Sequence, residues 1–72
     1  MNREWKVRPS RVDPKTGVQA WKVEAPDGTV TNCMTGSIAI DLAKKHAMEN
    51  KGLLLAYGSD GRVWAIEDYQ VH

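Results

Sequence analysis

Residues 36–52 have the sidedness of an amphipathic helix, and no other stretch of the 72-residue chain has this pattern. An advance of about 100° per residue separates an apolar arc from a charged one. The alanines at positions 39, 43 and 47 form a shallow ridge, which lets a sheet with large side chains approach closely. A single helix can cover only one face of a sheet, so the strands must form a sheet with one face against the helix and the other uncovered. The apolar arc holds Ile38, Ala39, Ile40, Leu42, Ala43, His46 and Ala47.

Both ends of this helix carry residues that are typical of helix termini. Thr35 or Ser37 is the expected N-cap, because either hydroxyl can accept a hydrogen bond from a free amide of the first turn. Gly52 is expected to end the helix, because glycine takes the left-handed conformation without strain.

A tight hairpin should follow the helix, with Asp60 and Gly61 as a two-residue type I′ turn. This register makes four pairs: Tyr57–Trp64 and Leu55–Ile66 on one face, and Ala56–Ala65 and Leu54–Glu67 on the other. A slip by one residue would scatter the large apolar side chains, which favours this register. We expect the face with the larger side chains to pack against the helix.

The first half of the chain contains two strand patterns and a second turn signal. Residues 5–8 alternate apolar and basic, as in a strand with one covered face. Pro9 should end that strand or place it at the edge of the sheet. Residues 10–17 should form an exposed hairpin loop. Residues 20–25 alternate again, and a turn centred on Asp27 and Gly28 leads to a third strand. The expected pairs are Trp21–Met34, Lys22–Cys33, Val23–Asn32, Glu24–Thr31 and Ala25–Val30.

Residues 1–72 are therefore expected to form a single α+β domain of two layers, in which one helix packs on an antiparallel sheet. The element order is β-β-β-α-β-β, and the strand order within the sheet stays open. The side chains expected to face the helix are Trp5, Val7, Trp21, Val23, Val30, Met34, Leu55, Tyr57, Trp64 and Ile66.

Composition narrows the classes of function. Ten basic and nine acidic residues give a formal net charge of +1, so nucleic-acid binding would have to rest on local clustering of charge. Cys33 is the only cysteine and cannot form an internal disulfide. The N-terminal residues lack the apolar run of a signal peptide, and a cytoplasmic location is the expectation.

Several segments resemble a family of small bacterial domains of unknown function. They are Trp21-Lys22-Val23, the segment TGSIAIDLAKK at residues 35–45, and LAYGSDGRV at residues 55–63. Members commonly show a W-x-V strand, an A-I-x-x-A-K helix and a closing hairpin of the form Y/H-G-x-D-G-R. The resemblance implies a fold and assigns no activity, and it departs from the family pattern at residues 33–37.

The sequence does not favour an enzyme, a cofactor or a metal site. His46 lies on the apolar arc with no nucleophile or carboxylate at a catalytic spacing, so we interpret it as a partly buried packing residue. Cys33 should point to the outer face as an inert, half-exposed thiol, because its expected neighbour Lys22 is the only activating group. Asp60 is explained by the turn and Asp41 by the helix dipole.

The best indication of function is the face of the sheet that the helix leaves uncovered. The expected register gives that face an apolar patch suited to a protein partner or a second copy of the chain, made of Leu54, Ala56, Val63 and Ala65. The alternative is a nucleic-acid-binding accessory protein of phage or mobile-element type. Its phosphate contacts would be Lys6, Arg8, Arg11 and Lys22. In this register every Trp faces the core, which weakens the alternative, since single-strand binders stack bases on aromatic side chains.

Overall fold

A computed structural model describes residues 3–70 as an α+β fold of two layers. The elements are β1 (Glu4–Val12), β2 (Gln19–Glu24), β3 (Val30–Cys33), α1 (Gly36–Glu49), β4 (Leu53–Tyr57) and β5 (Val63–Asp68). The expected element order is confirmed. Within the described part of the chain, no helix is long and apolar enough to cross a bilayer.

The sheet has five strands in the order β3-β2-β1-β4-β5. Three neighbouring pairs are antiparallel, but β1 and β4 are parallel, so the sheet is mixed and the expectation of a fully antiparallel sheet is wrong. The reason is the connection through α1. The helix carries the chain from edge strand β3 across the sheet, and the chain returns beside β1 in the direction of β1.

The core lies between α1 and the sheet, mainly against β1, β2 and β4. The alanine ridge of the helix is fully buried, as expected, because Ala39, Ala43 and Ala47 are each 0% exposed. His46 is exposed, which corrects the expectation that it packs in the core. The buried line of the helix consists of the three alanines, with Ile40 and Leu42 half-buried against the core, and His46 lies outside this set. The other core residues are Trp5, Val7, Val23, Cys33, Leu54 and Ala56.

The helix is capped at both ends by local hydrogen bonds. Thr35 is the N-cap, and its hydroxyl accepts from the amide of Ile38 at 3.1 Å. At the other end Lys51, not Gly52, takes the left-handed conformation, with φ of 54°. The amide of Gly52 then donates to the Ala47 carbonyl at 2.8 Å, as in a Schellman motif. Gly52 is required for a different reason, since a Cβ there would collide with the Arg3 carbonyl and the Trp5 ring.

The β2–β3 hairpin turns through a three-residue loop, residues 26–28, so the expected two-residue turn is wrong. The Ala25 amide donates to the Thr29 carbonyl at 2.8 Å, the Gly28 amide donates to the Ala25 carbonyl at 3.0 Å, and Gly28 has φ of 92°. The extra loop residue shifts the pairing by one, which puts Trp21 opposite Cys33. The observed pairs are Trp21–Cys33, Lys22–Asn32, Val23–Thr31 and Glu24–Val30.

That shift turns β3 over. Cys33 is 8% exposed and lies in the core, whereas it was expected on the outer face. Val30 and Met34 are 50% and 79% exposed, whereas both were expected beneath the helix. The change follows from the period of two along a strand, since a shift of one residue exchanges the faces.

The β4–β5 hairpin has the same loop construction, at residues 59–61, and the type I′ turn expected there is also wrong. The Gly58 amide donates to the Arg62 carbonyl at 2.9 Å, the Gly61 amide donates to the Gly58 carbonyl at 3.0 Å, and Gly61 has φ of 80°. A bulge between Val63 and Ala65 then restores the expected register. The pairs Leu54–Glu67, Leu55–Ile66 and Ala56–Ala65 are confirmed, and Tyr57 pairs with Val63.

The long first strand passes through Pro9 without losing a sheet hydrogen bond. β1 pairs with β4 only from Glu4 to Val7, so Pro9 lies beyond that ladder, where its missing amide costs nothing. A register irregularity follows between Pro9 and Val12. The loop after it is exposed, as expected, and Gly17 has φ of 71°.

Candidate interaction face

The parallel pairing of β1 with β4 decides which face of β4 the helix covers. Trp5 lies opposite Leu54 and Val7 opposite Ala56, so all four side chains share the face beneath the helix. Leu54 and Ala56 are 2% and 1% exposed, so they cannot be part of the surface patch to which the sequence assigned them. Ala65 is half-buried and packs against the same core.

The opposite face of β4 and β5 is apolar and uncovered. The large side chains expected beneath the helix lie here, because the register is as expected but the face that meets the helix is the other one. Trp64 is 59% exposed, Ile66 63% and Val63 41%. We call the following set the outer apolar patch: Leu53, Leu55, Tyr57, Val63, Trp64 and Ile66.

The other half of the same outer face, on β1 and β2, is charged. Lys6 lies opposite Glu24, and Arg8 lies opposite Lys22. The charged half borders the outer apolar patch along the β1–β4 ladder, where Lys6 lies opposite Leu55. The uncovered face therefore has two parts, an apolar one ending at the free edge of β5 and a charged one toward β3.

Arg8 joins the two parts. Its Nε lies 2.8 Å from Oε1 of Glu24, although the N–H direction does not fit a hydrogen bond, so the contact is an ion pair only. Its guanidinium carbon lies 4.2 Å from the centre of the Tyr57 ring, a cation–π contact. Arg8 thus has its charge partly balanced and covers one face of the nearest aromatic ring.

The four basic residues of the nucleic-acid hypothesis are not equally placed. Lys6, Arg8 and Lys22 share the outer face of β1 and β2. Arg11 is exposed near the end of β1, where its carbonyl accepts from the Gln19 side chain at 3.3 Å. The expectation that every Trp faces the core is wrong for Trp64. The exposed ring of Trp64 is therefore open to stacking by a base.

The inner side of β5 continues past the strand into Tyr69. Its hydroxyl donates to Oε2 of Glu67 at 2.8 Å. Partial burial, together with the hydrogen bond to this carboxylate, raises the pKa of Tyr69. Tyr69 packs against the core, and its amide donates to the Gly52 carbonyl at 2.9 Å. This contact fixes the end of β5 against the start of β4.

The residues considered for chemistry lie apart from one another. Cys33 is buried just before the helix, and His46 is exposed in the last helical turn. Among residues 3–70, no group of three or more His, Cys, Asp or Glu side chains is placed to hold a metal ion. A groove of about 600 Å³ beside the C-terminal end of α1 has a lining of mixed charge, which includes Arg3, Asp27, Glu49 and Lys51.

Sequence reasoning missed Leu55, Tyr57, Trp64 and Ile66 as surface residues, and one signal could have found them. Leu53 to Tyr57 is an unbroken apolar run, which is typical of a strand with both faces apolar, and only one of those faces can meet a lone helix.

No family model, curated protein or solved structure matches this chain.

Proposed function

We propose that the protein is a non-catalytic interaction domain that binds a protein partner, or a second copy of itself, through the uncovered face of its sheet. The outer apolar patch is the single observation that carries this proposal. Trp64 and Ile66 are both more than half exposed and lie on neighbouring positions of that face. Large contiguous apolar patches on small domains usually mark interaction sites.

The composition of the face supports protein binding in particular. Tyr, Trp and Arg are enriched where protein interfaces are buried, and charged residues are typical of the rim. Here Tyr57 and Trp64 lie in the apolar part on β4 and β5, the Arg8 guanidinium lies over the Tyr57 ring, and Lys6 and Lys22 lie on the neighbouring strands β1 and β2. A partner that covers β4 and β5 would bury the aromatic side chains and leave the lysines at the margin.

A second candidate function is nucleic-acid binding by the same face, with contacts from Lys6, Arg8, Arg11 and Lys22. One observation favours it, since the exposed Trp64 and the ring of Tyr57 lie on the same face as the basic residues. Aromatic platforms beside cations are how single-strand binders hold bases and phosphates.

Three observations rank this second candidate below the first. Glu24 lies 2.8 Å from Arg8 and balances part of its charge. The Arg8 guanidinium also covers the face of Tyr57 on which a base would stack. Aliphatic side chains such as Leu55 and Ile66, which offer a base no stacking surface, make up much of the patch.

A cytoplasmic location is part of the proposal. It is supported by the lone cysteine, which is a free thiol, as is usual in a reducing compartment.

Charge placed at Ile66 tests the first function. Ile66→Glu should abolish binding, because a carboxylate would be desolvated in the interface. Met34→Glu is the matched control, since Met34 is 79% exposed and lies outside the patch. Sedimentation over about a hundredfold range of concentration measures self-association. A photoreactive residue placed at position 55 can be cross-linked to a bound protein, and quantitative mass spectrometry then identifies foreign protein partners.

The proposal is supported if the parent and Met34→Glu associate with themselves or with one protein and Ile66→Glu does not. It fails if Ile66→Glu binds as well as the parent. Salt-dependent binding of single-stranded DNA or RNA that is lost in Lys6→Glu and Lys22→Glu would favour the second function instead.

A further inference from the structure

The free edge of the sheet at β5 is open to another strand. β5 is the last strand in the order β3-β2-β1-β4-β5, and among residues 3–70 no strand pairs with its outer side. The helix packs mainly against β1, β2 and β4, so it does not cover this edge. Natural proteins usually protect an exposed edge, because its unpaired amides and carbonyls can template a further strand.

The hydrogen bonds of the hairpin show which backbone groups face this edge. The Tyr69 amide donates to Gly52, and the Gly58 amide donates to Arg62, both at 2.9 Å. Hydrogen-bonded and non-hydrogen-bonded pairs alternate in an antiparallel ladder. The backbone groups of Ala65 and Glu67 therefore point toward β4. Those of Ile66 point away from β4, into the open edge.

Two usual forms of edge protection lie at the ends of β5, a bulge at Val63 and Trp64 and the acidic residues Glu67 and Asp68, but neither lies at Ile66 itself. The strand carries neither Lys nor Pro, and Trp64 and Ile66 are 59% and 63% exposed. The other edge strand, β3, differs, because it has only four residues and its two central residues are Thr31 and Asn32. The long, apolar edge is thus the one that adjoins the outer apolar patch.

We propose that β5 pairs antiparallel with β5 of a second copy of this chain, which joins the two five-stranded sheets into one. This inference rests on the proposed function and names its partner. The distribution of charge along the strand supports the choice of a second copy. Arg62 precedes β5, and its side chain is 88% exposed with its Nε 4.0 Å from Oδ2 of Asp60, whereas Glu67 and Asp68 end the strand. Antiparallel pairing brings Arg62 of each copy to the acidic end of the other.

The same pairing is compatible with closed two-fold symmetry, in which the same surface is used by both copies. It also brings Trp64 and Ile66 of both copies together on one face. The two outer apolar patches then become continuous across the new strand pair. A parallel arrangement would instead place the two acidic ends side by side, with like charges adjacent.

Two substitutions at one position separate edge pairing from contact through the face alone. Ile66→Pro removes the edge amide but no hydrogen bond within the hairpin, and Pro is tolerated on edge strands where the amide faces solvent. Ile66→Ala keeps the amide and shortens the side chain. We expect Ile66→Pro to raise the dimer dissociation constant by about a hundredfold, and Ile66→Ala by less than about tenfold. Sedimentation equilibrium gives both values, and circular dichroism checks the fold.

Hydrogen exchange of the Ile66 amide in the parent tests the same point without a substitution. This amide faces solvent in one copy, so it should exchange quickly in dilute protein and become protected as concentration rises. The Ala65 amide, which points toward β4, is the internal control and should be protected at every concentration.

The outcomes separate this inference from the proposed function. If the parent dimerises but the Ile66 amide stays unprotected, or if Pro and Ala weaken the dimer equally, edge pairing is overturned and the face remains the binding surface. A parent that stays monomeric at every concentration also overturns edge pairing. The proposed function fails as well only if Ile66→Glu then leaves binding of foreign proteins unchanged.

Discussion

The two hairpins of this protein turn through the same loop chemistry and end in different registers. In each, an Asp-Gly pair closes a three-residue loop, the glycine has a positive φ, and the aspartate accepts from the amide two residues later. In β4–β5 a bulge at Val63 and Trp64 absorbs the extra loop residue. In β2–β3 no bulge follows, so the shift persists to the end of the strand.

The difference shows that an Asp-Gly signal determines that the chain turns but not how the strands pair afterwards. A three-residue loop of this kind is a common alternative to the two-residue turn. Whether the strand then bulges depends on which side chains the core accepts. In β3 the unbulged pairing buries the small Cys33, whereas in β5 the bulge returns Ala65 to the core side.

The largest expected effect is the difference in stability between substitutions on the two faces of β4. Leu54→Ala should lower the free energy of unfolding by about 2 to 5 kcal/mol, because Leu54 is fully buried. Leu55→Ala, on the outer face, should cost about 1 kcal/mol or less in dilute protein. Urea denaturation of both variants gives the values. Equal costs, or a larger cost at Leu55, would show that the helix covers the other face.

The burial of Cys33 tests the unbulged register of β2–β3. Its thiol should react with a disulfide reagent about ten to a hundred times more slowly than an exposed one, because reaction requires local opening of β3. The control is Asn32→Cys in a Cys33→Ser background, which places the thiol on the opposite face. Similar labelling rates for the two proteins would restore the pairing in which Cys33 faces outward.

Glycine substitutions test whether the two loops are alike. Gly28→Ala and Gly61→Ala should each cost about 1 to 2 kcal/mol, because both glycines have positive φ although a Cβ would meet nothing within 4 Å. Thermal unfolding measures both, with Ser59→Ala as a control that should change stability by less than about 0.5 kcal/mol. A much smaller cost at one glycine would mean that the loops differ.

The smallest expected effect concerns Asp27. Hydrogen bonds from the backbone amide of Thr29 first, and then from its side chain, lower the pKa of this carboxyl. A lowered pKa in the folded state gives stability at neutral pH that is lost as the pH falls through the folded value. The melting temperature of Asp27→Asn should therefore lie slightly below that of the parent at pH 7, and the two should converge in acid. A difference independent of pH would contradict a role for the charge.

Local sequence predicted the elements well, because their signals lie within a few residues of each other. The alanine ridge follows from helix periodicity, and the N-cap follows from the hydroxyl of Thr35. The three confirmed pairs of β4–β5 follow from strand periodicity. The face of β4 did not follow from local pattern, since Leu53 to Tyr57 is apolar on both sides. For the same reason the predicted binding residues Leu54 and Ala56 proved to be core, while Leu55 and Tyr57 lie half-buried on the open face.

The sequence by itself determined one amphipathic helix, five strands and their order along the chain, because periodicity, capping and turn residues act locally. Only the tertiary structure decided the strand order, the parallel pairing of β1 with β4 and the absence of a bulge in β3. The physical reason is that β1 and β4 meet across about fifty residues of chain, and their register depends on which side chains fit beneath the three alanines. That one long-range register places the outer apolar patch on the open face.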